Sequence, residues 1–478
     1  GGKLNPKNRW VQMACLIPWD EFEQRYSALF SKTRGARAKP FRLALGTLLI
    51  KERLGVSDDE TIEQLQENPY LQYLIGLPGF TEKKPCDSSM LTHFRKRITP
   101  EILCEINEAI VSSALSEAEK NECDSRQPEA ADEDENDKDD PSNGSNSGKL
   151  CLDATVAPAD IRYPTDVSIV NECRISSENI LDVLYTTGGG EDFFGRKPRT
   201  HRKKATKQYN AFVKRRRPSG KQVRRALKKQ ITHLRRNIAS IHGLLDAGAK
   251  LSVLSRAHYH RLLVITEICR QQSELYKEKK KSIEGRIVSP AQPHVRPIKR
   301  GKAGRSTEFG MKISASCYKG FVHIDRLSWD NFNESGDLQM QVESYRRRTG
   351  SYPESLHVDK IYRTKENRKW CKERNIRMSG PKLGRPPKHQ CPEEKRQAIE
   401  DEGYRSRIEG HFGRAKRKFG LDRITAKLST TSMTQACLIA LVMNLDRVVS
   451  CIFSVLASCI NVISVTYALV RRFWGHIA

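Results

Sequence analysis

Between Glu117 and Ser147 the chain turns almost wholly to Glu, Asp, Asn, Ser and Gly, and the large apolar residues vanish. Such a stretch cannot bury enough surface to offset the entropy of ordering it. Residues 117–148 are therefore expected as a disordered acidic linker that forces the chain to fold in separate parts.

The linker also concentrates positive charge elsewhere. The 478 residues carry a formal charge of +27 and a pI near 9.6. Lys and Arg at that density suit a polyanion, because neutralising phosphates releases counterions. Duplex DNA, ribosomal RNA and an anionic membrane surface all satisfy this reading, and the linker fits either a solvated spacer or an acidic brake that mimics DNA. Thirteen cysteines are scattered without a C-x-x-C or a Cys/His cluster, so zinc is not indicated and reduced thiols in a cytoplasm are expected. The chain opens Gly-Gly-Lys with no apolar run, so no secretion signal is expected.

Residues 1–116 read as a helical domain. Phe41–Leu54 is apolar at helical spacing, Ser57-Asp58-Asp59-Glu60 reads as a capping box, and Asn68-Pro69 breaks the helix it opens. Asp87-Ser88-Ser89 then caps a helix ending in Arg95-Lys96-Arg97. Short helices with a basic end suit DNA binding through Arg95 and Arg97, and equally a plain helical bundle.

After the linker, Lys149–Ala157 reads as a buried strand holding one acid, Asp153. An ionised carboxylate there is costly unless it is paired or metal-bound. Residues 191–305 read as a basic insertion. Leu227, Ile231, Leu234, Ile238, Ile241 and Leu245 mark one helix, a second follows from about Ser255 to Ile283, and Arg215 and Arg216 stand at the base of the hairpin. The period then changes to two, with strands at Met311–Ser316 and Phe321–Trp329. A helix over Leu338–Arg348, a strand ending in Asp359-Lys360, a helix through Trp370 and a short strand at Ile376–Met378 follow. Beyond them, Gly384-Arg385-Pro386 among lysines resembles an AT-hook core, a segment that fits a narrow A·T minor groove; a basic loop touching phosphates is the plainer reading. The uncharged run Val448–Val470 carries Ser450, Ser454, Ser458, Asn461 and Ser464 on one stripe, so an apolar helix over 447–478, packed on protein rather than spanning a bilayer, is expected.

The helix through Tyr404–Gly420 carries one acid among bases: Arg405, Glu409 and Lys416 share one face over about three turns. That pattern is either a surface stripe of ion pairs or a metal-binding acid flanked by phosphate-gripping bases. With the insertion excised, the order of elements predicts an α/β, ribonuclease H-like mixed-sheet core. It comprises residues 149–190 and 306–446, with Asp153 in the first strand, Asp359 ending the fourth and Glu409 on the last helix. Three convergent carboxylates can hold two Mg²⁺ ions, with Mn²⁺ as the alternative, about 3.5 to 4 Å apart. Asp160, Asp325 and Asp330 compete as ligands without an equally good place in that order.

At these residues the chain resembles bacterial insertion-sequence transposases of the Asp, Asp, Glu class, and among them insertion-sequence family five. The resemblance runs through Leu45–Ile50, Glu67–Tyr73, Leu152–Thr155, Trp329-Asp330, Asp359–Arg363, Ser379–Pro386 and Arg407–Gly413. It implies catalytic and metal-binding roles for Asp153, Asp359 and Glu409. Of the Tyr, Arg, Glu and Lys signature around the third acid, Arg405, Glu409 and Lys416 are present, while the Tyr position holds Glu402 and Tyr404 lies two residues late. The likeness further implies binding of transposon ends and target DNA, with Arg405, Lys416, Arg385 and Lys360 among the contacts. It also implies a homodimer on DNA, no membrane, and a cytoplasmic, nucleoid-associated place.

Overall fold

The computed structural model describes residues 3–31, 37–124, 146–299, 307–381 and 391–474. Residues 125–145 of the expected linker and Gly384-Arg385-Pro386 lie outside them. The fold is mixed α/β and divides into two compact units. The first comprises Gly1–Ala157, Lys312–Leu327 and Phe332–Ala478, the second Pro158–Met311 and Ser328–Asn331.

In the first unit, helices α1 (Arg9–Leu16), α2 (Trp19–Ser27), α3 (Phe41–Leu54), α4 (Asp58–Glu67), α5 (Pro69–Leu74), α6 (Met90–Arg97) and α7 (Pro100–Asp124) precede the sheet. α3 is buried along most of its length, from Phe41 to Glu52, and α2, α4, α5 and α6 pack on it. Ser57 caps α4 by accepting the Glu60 N–H. The expected box is only half closed, because the Glu60 carboxylate accepts from Gln64 instead, at 2.9 Å. The last helix, α16 (Ser429–Trp474), packs against α1, α3, α6 and α7. The apolar helix expected from residue 447 is thus the continuation of one that starts at Ser429. Its Ser429–Ile452 stretch is long and apolar enough to cross a membrane, and most of it is buried in protein. Polar ties fix its rotation: Asn444 Nδ2 donates to Asn107 Oδ1 and to the Val322 carbonyl, both at 2.7 Å.

The strands are β1 (Lys149–Pro158), β2 (Arg296–Lys299), β3 (Thr307–Tyr318), β4 (Phe321–Ser328), β5 (Ser355–Val358) and β6 (Arg377–Met378). β1 lies between β3 and β5, and β5 between β1 and β6. β1 and β5 run parallel, with Lys149 opposite Ser355 and Leu152 opposite Val358. β4 returns along β3 through Lys319 and Gly320, both left-handed (φ 47° and 83°), which suits a two-residue hairpin turn. Alternation then sorts the side chains. Leu150, Leu152, Leu356 and Val358 pack with Leu338, Val342 and Tyr345 of α13 (Leu338–Thr349) and Cys371 of α14 (Lys365–Glu373). Cys151, Ala315, Cys317 and Val322 pack instead with Ile408, Tyr404 and Phe412 of α15 (Pro392–Phe419).

The second unit contains α8 (Asp166–Thr186), α9 (Gly190–Phe194), α10 (Arg202–Val213), α11 (Gly220–Asp246) and α12 (Arg256–Glu278), and β2 pairs antiparallel with residues 307–310 of β3. The reading of the sequence had no helix between Pro164 and Gly188. α8 fills that gap and packs on both α11 and α12, so the hairpin wraps a third, central helix. Its signal was a cap: Thr165 accepts the Ser168 N–H while Ser168 Oγ accepts the Thr165 N–H.

Candidate active site

Side-chain parity brings the acids to one face. Asp153 shares the orientation of Cys151, whose thiol donates to the Tyr404 carbonyl of α15 at 3.3 Å. Asp359 follows β5 in step with Ser355 and His357, and the His357 ring lies 5.2 Å from that of Tyr404. Glu409 rises from α15 one residue after the core side chain Ile408. α15 is itself anchored to the sheet edge by Asp401. Both its oxygens accept from Arg377 of β6 at 2.8 Å, and Oδ1 lies 3.6 Å from His357 Nδ1. Burial would raise the Asp401 carboxyl, but Arg377 and Gln397 hold it below the ordinary value.

Asp153 is half-buried and accepts the Ala154 N–H at 2.8 Å. Burial above all, with the negative charges of Glu334, Glu409 and Asp359 acting the same way, pushes its carboxyl up to about 6 against the effect of that N–H. Glu409 and Asp359 therefore both lie close enough to Asp153 for their charges to act on it. Asp359 is exposed and accepts the Lys360 N–H at 2.6 Å as the cap of the turn Lys360–Tyr362. Glu409 is also exposed, and Arg405 reaches it at 2.7 Å while holding Glu402 at 2.6 Å. Among the described residues no three His, Cys, Asp or Glu side chains stand close enough to hold a metal ion.

Glu334 is the acid that sequence reading missed. It sits in the turn Glu334–Gly336 and pairs with Lys312 at 2.8 Å. Its only signal was an acid in a Gly-ended turn between a strand and a helix. The competing acids have other partners. The Asp325 side chain is only 2% exposed and is held by Arg348, Gln341 and Ser316. Asp330 belongs to the second unit, where it faces Arg296 at 3.6 Å, and Asp160 lies there too.

The proposed DNA contacts fall in several places. Arg405 and Lys416 are on α15 and half-buried, and Lys360 is exposed beside Asp359. Arg95 is committed to Asp58 through both guanidinium nitrogens, and Arg97 lies 4.6 Å over the Phe30 ring. Arg215 and Arg216 are exposed between α10 and α11, and Arg385 lies outside the described residues.

Residues 356–446, from β5 into α16, match the family described as transposase DDE domain. Residues 2–97 match a second one, transposase domain (DUF772). The chain is 31% identical over 163 residues to the uncharacterized protein ORF8 in the nfe locus of Rhizobium meliloti, covering 34% of this chain and 68% of that protein. The chain belongs to the DDE-domain transposases. No solved structure matches this transposase. The DDE match includes Asp359 and Glu409, and Asp153 precedes it.

Proposed function

We propose that this transposase binds the inverted-repeat ends of an insertion sequence of family five, cuts them by metal-dependent phosphodiester hydrolysis and joins the 3′-hydroxyl ends to target DNA. The observation that carries this reading is Asp153, a carboxyl raised to about 6 by burial and by the charges of Glu334, Glu409 and Asp359. Hard oxygen donors whose charges bear on a buried carboxyl suit a divalent cation, whose charge would lower that carboxyl. Asp153, Asp359 and Glu409 are the residues that would hold Mg²⁺ or Mn²⁺. Such ions, when bound, activate a water or 3′-hydroxyl and stabilise the leaving oxygen.

The chain's own groups supply the rest. Arg405 divides its hydrogen bonds between Glu402 and Glu409, so it can keep Glu402 while Glu409 swings toward Asp153. Freed on that side, its guanidinium can take a phosphate oxygen beside the cut. Asp401, through Arg377 and His357, fixes the helix on which both sit. In this reading the sheet of the first unit is a ribonuclease H-like core, α1–α7 form a DNA-binding domain, and the protein acts as a homodimer on DNA.

The test is incubation with duplex DNA carrying the element's own ends and Mg²⁺. Ends with a free 3′-hydroxyl and strand-transfer products are expected. Binding without cutting would mark a DNA-binding protein descended from a transposase, and cutting without joining would mark a nuclease.

A further inference from the structure

Helix α15 has two basic faces, and only one carries Glu409. At about 100° per residue, Arg405, Glu409 and Lys416 fall within roughly 40° of each other, while Arg407, Gly410, His411 and Arg414 lie on the other side. Those four, with Lys319 and Gly320 of the β3–β4 turn and Arg447 of α16, line a cleft of about 690 Å³. Among the described residues the lining holds four permanent cations and no acid.

Three of the cations, Arg407, Arg414 and Arg447, are held in place by contacts that leave positive charge over. Arg407 is exposed and rests 4.1 Å over the Tyr404 ring, which orients it without cancelling its charge. Arg447 donates to the Lys319 carbonyl at 2.7 Å and lies 5.2 Å from the Phe321 ring, while its buried Nε has no hydrogen-bond partner among the described residues. Arg414 stands 3.6 Å from Asp446, a carboxylate already claimed by Arg53 at 2.7 Å and Lys418 at 3.0 Å. One acid facing three cations leaves positive charge over. Glycines supply the room. Nothing lies within 4 Å of where a Cβ would stand on Gly410, and a Cβ on Gly320 would meet the Arg447 guanidinium at 2.3 Å. A side chain at 320 would displace the arginine from the turn.

We propose that this cleft binds backbone phosphates of DNA, separately from the strand cut beside Glu409. The site takes phosphodiester rather than bases: it offers guanidinium groups on a rigid helix and turn, the chemistry that positions a duplex without reading its sequence. The inference rests on the proposed DNA-acting function and gives it a second grip, on the opposite side of the same helix.

The test is binding of a labelled random-sequence duplex to the full chain without divalent metal, across a series of salt concentrations. Each phosphate contact contributes roughly 0.9 to the slope of log K against log salt. The double variant Arg407→Ala/Arg414→Ala should lower that slope by about 1.8 with an unchanged melting temperature. A matched double variant that also removes two charges, Lys365→Ala/Lys369→Ala on α14, should change it much less. If the wild-type chain shows no salt-dependent binding, the DNA-acting function itself fails. If the wild type binds but the cleft variant keeps its slope, or the α14 variant loses as much, the cleft is not a phosphate site.

Discussion

Asp153→Asn should make the metal-free protein more stable at pH 7. The carboxyl titrates near 6 in the fold against an ordinary value of 3.8, a rise of about two units, each worth about 1.36 kcal/mol. A folded-state value above the unfolded one means that the native protein binds the proton more tightly. Asp153 therefore costs nothing below about pH 4, an increasing amount between 4 and 6, and its full cost above 6. The ceiling is about 3 kcal/mol, and the partial exposure of the residue brings the expectation to roughly 1 to 2. The amide retains an oxygen that can accept the Ala154 N–H, so that contact is kept. Urea unfolding of both proteins in a chelator, at pH 7.5 and at pH 3.5, gives the measurement. The variant should gain at 7.5 and match the wild type at 3.5. Millimolar Mg²⁺ should then raise the wild-type midpoint and leave the variant's where it was. Equal destabilisation at both pH values would refute the reasoning, because the carboxylate would then be a satisfied structural group.

Asp325→Asn should cost about 3 kcal/mol in urea unfolding, because it takes from Arg348, 19% exposed, its nearer carboxylate and leaves it only Glu108 at 3.6 Å; a neutral effect would mean that the pair is dispensable. Asp401→Asn should loosen α15 from β6, lowering stability at pH 7 by about 1 to 3 kcal/mol and slowing DNA cutting while DNA binding persists. Since the Asp401 carboxyl is held below 3.8, its contribution is present above that value and is lost as pH falls through the lower folded value. The wild-type and variant unfolding curves should therefore draw together as the pH falls below 3.8, and a gap that stays constant through the acid range would contradict the assignment.

The first unit was readable where one local rule decided the structure. Phe41–Leu54, the Lys319-Gly320 turn and the strands around Asp153 and Asp359 followed from apolar period and turn chemistry alone. Parity did the rest: once β1 and β5 are parallel neighbours, Asp153 and Asp359 must share the face on which α15 packs. What stayed hidden depended on partners distant in sequence. α8 mixes Ser, Asn and Glu into its apolar stripe because it buries polar groups, among them the Arg174–Glu178 pair at 2.5 Å, and such a helix gives no clean period. Arg95 looked like a free base in sequence and is forked on Asp58, thirty-seven residues away. Asp325 looked like a competing ligand and is an internal counter-ion of Arg348. Glu334 could be noticed only after the chain between β4 and α13 had brought it to Asp153.

The proposed cutting of DNA requires Asp153, Asp359 and Glu409 to act as one unit. The most direct test is the rate at which a labelled duplex carrying the element's own end is cut in Mg²⁺. Wild type, Asp153→Asn, Asp359→Asn and Glu409→Gln are compared with Asp330→Asn, whose side chain is 84% exposed, and gel-shift binding is measured in parallel. Each of the three triad variants should lose at least about a hundredfold in rate with binding nearly intact, and pairs of them should lose little more, because a metal site fails as a whole. Normal cutting by Glu409→Gln, or a loss in Asp330→Asn as deep as that in Asp359→Asn, would contradict it.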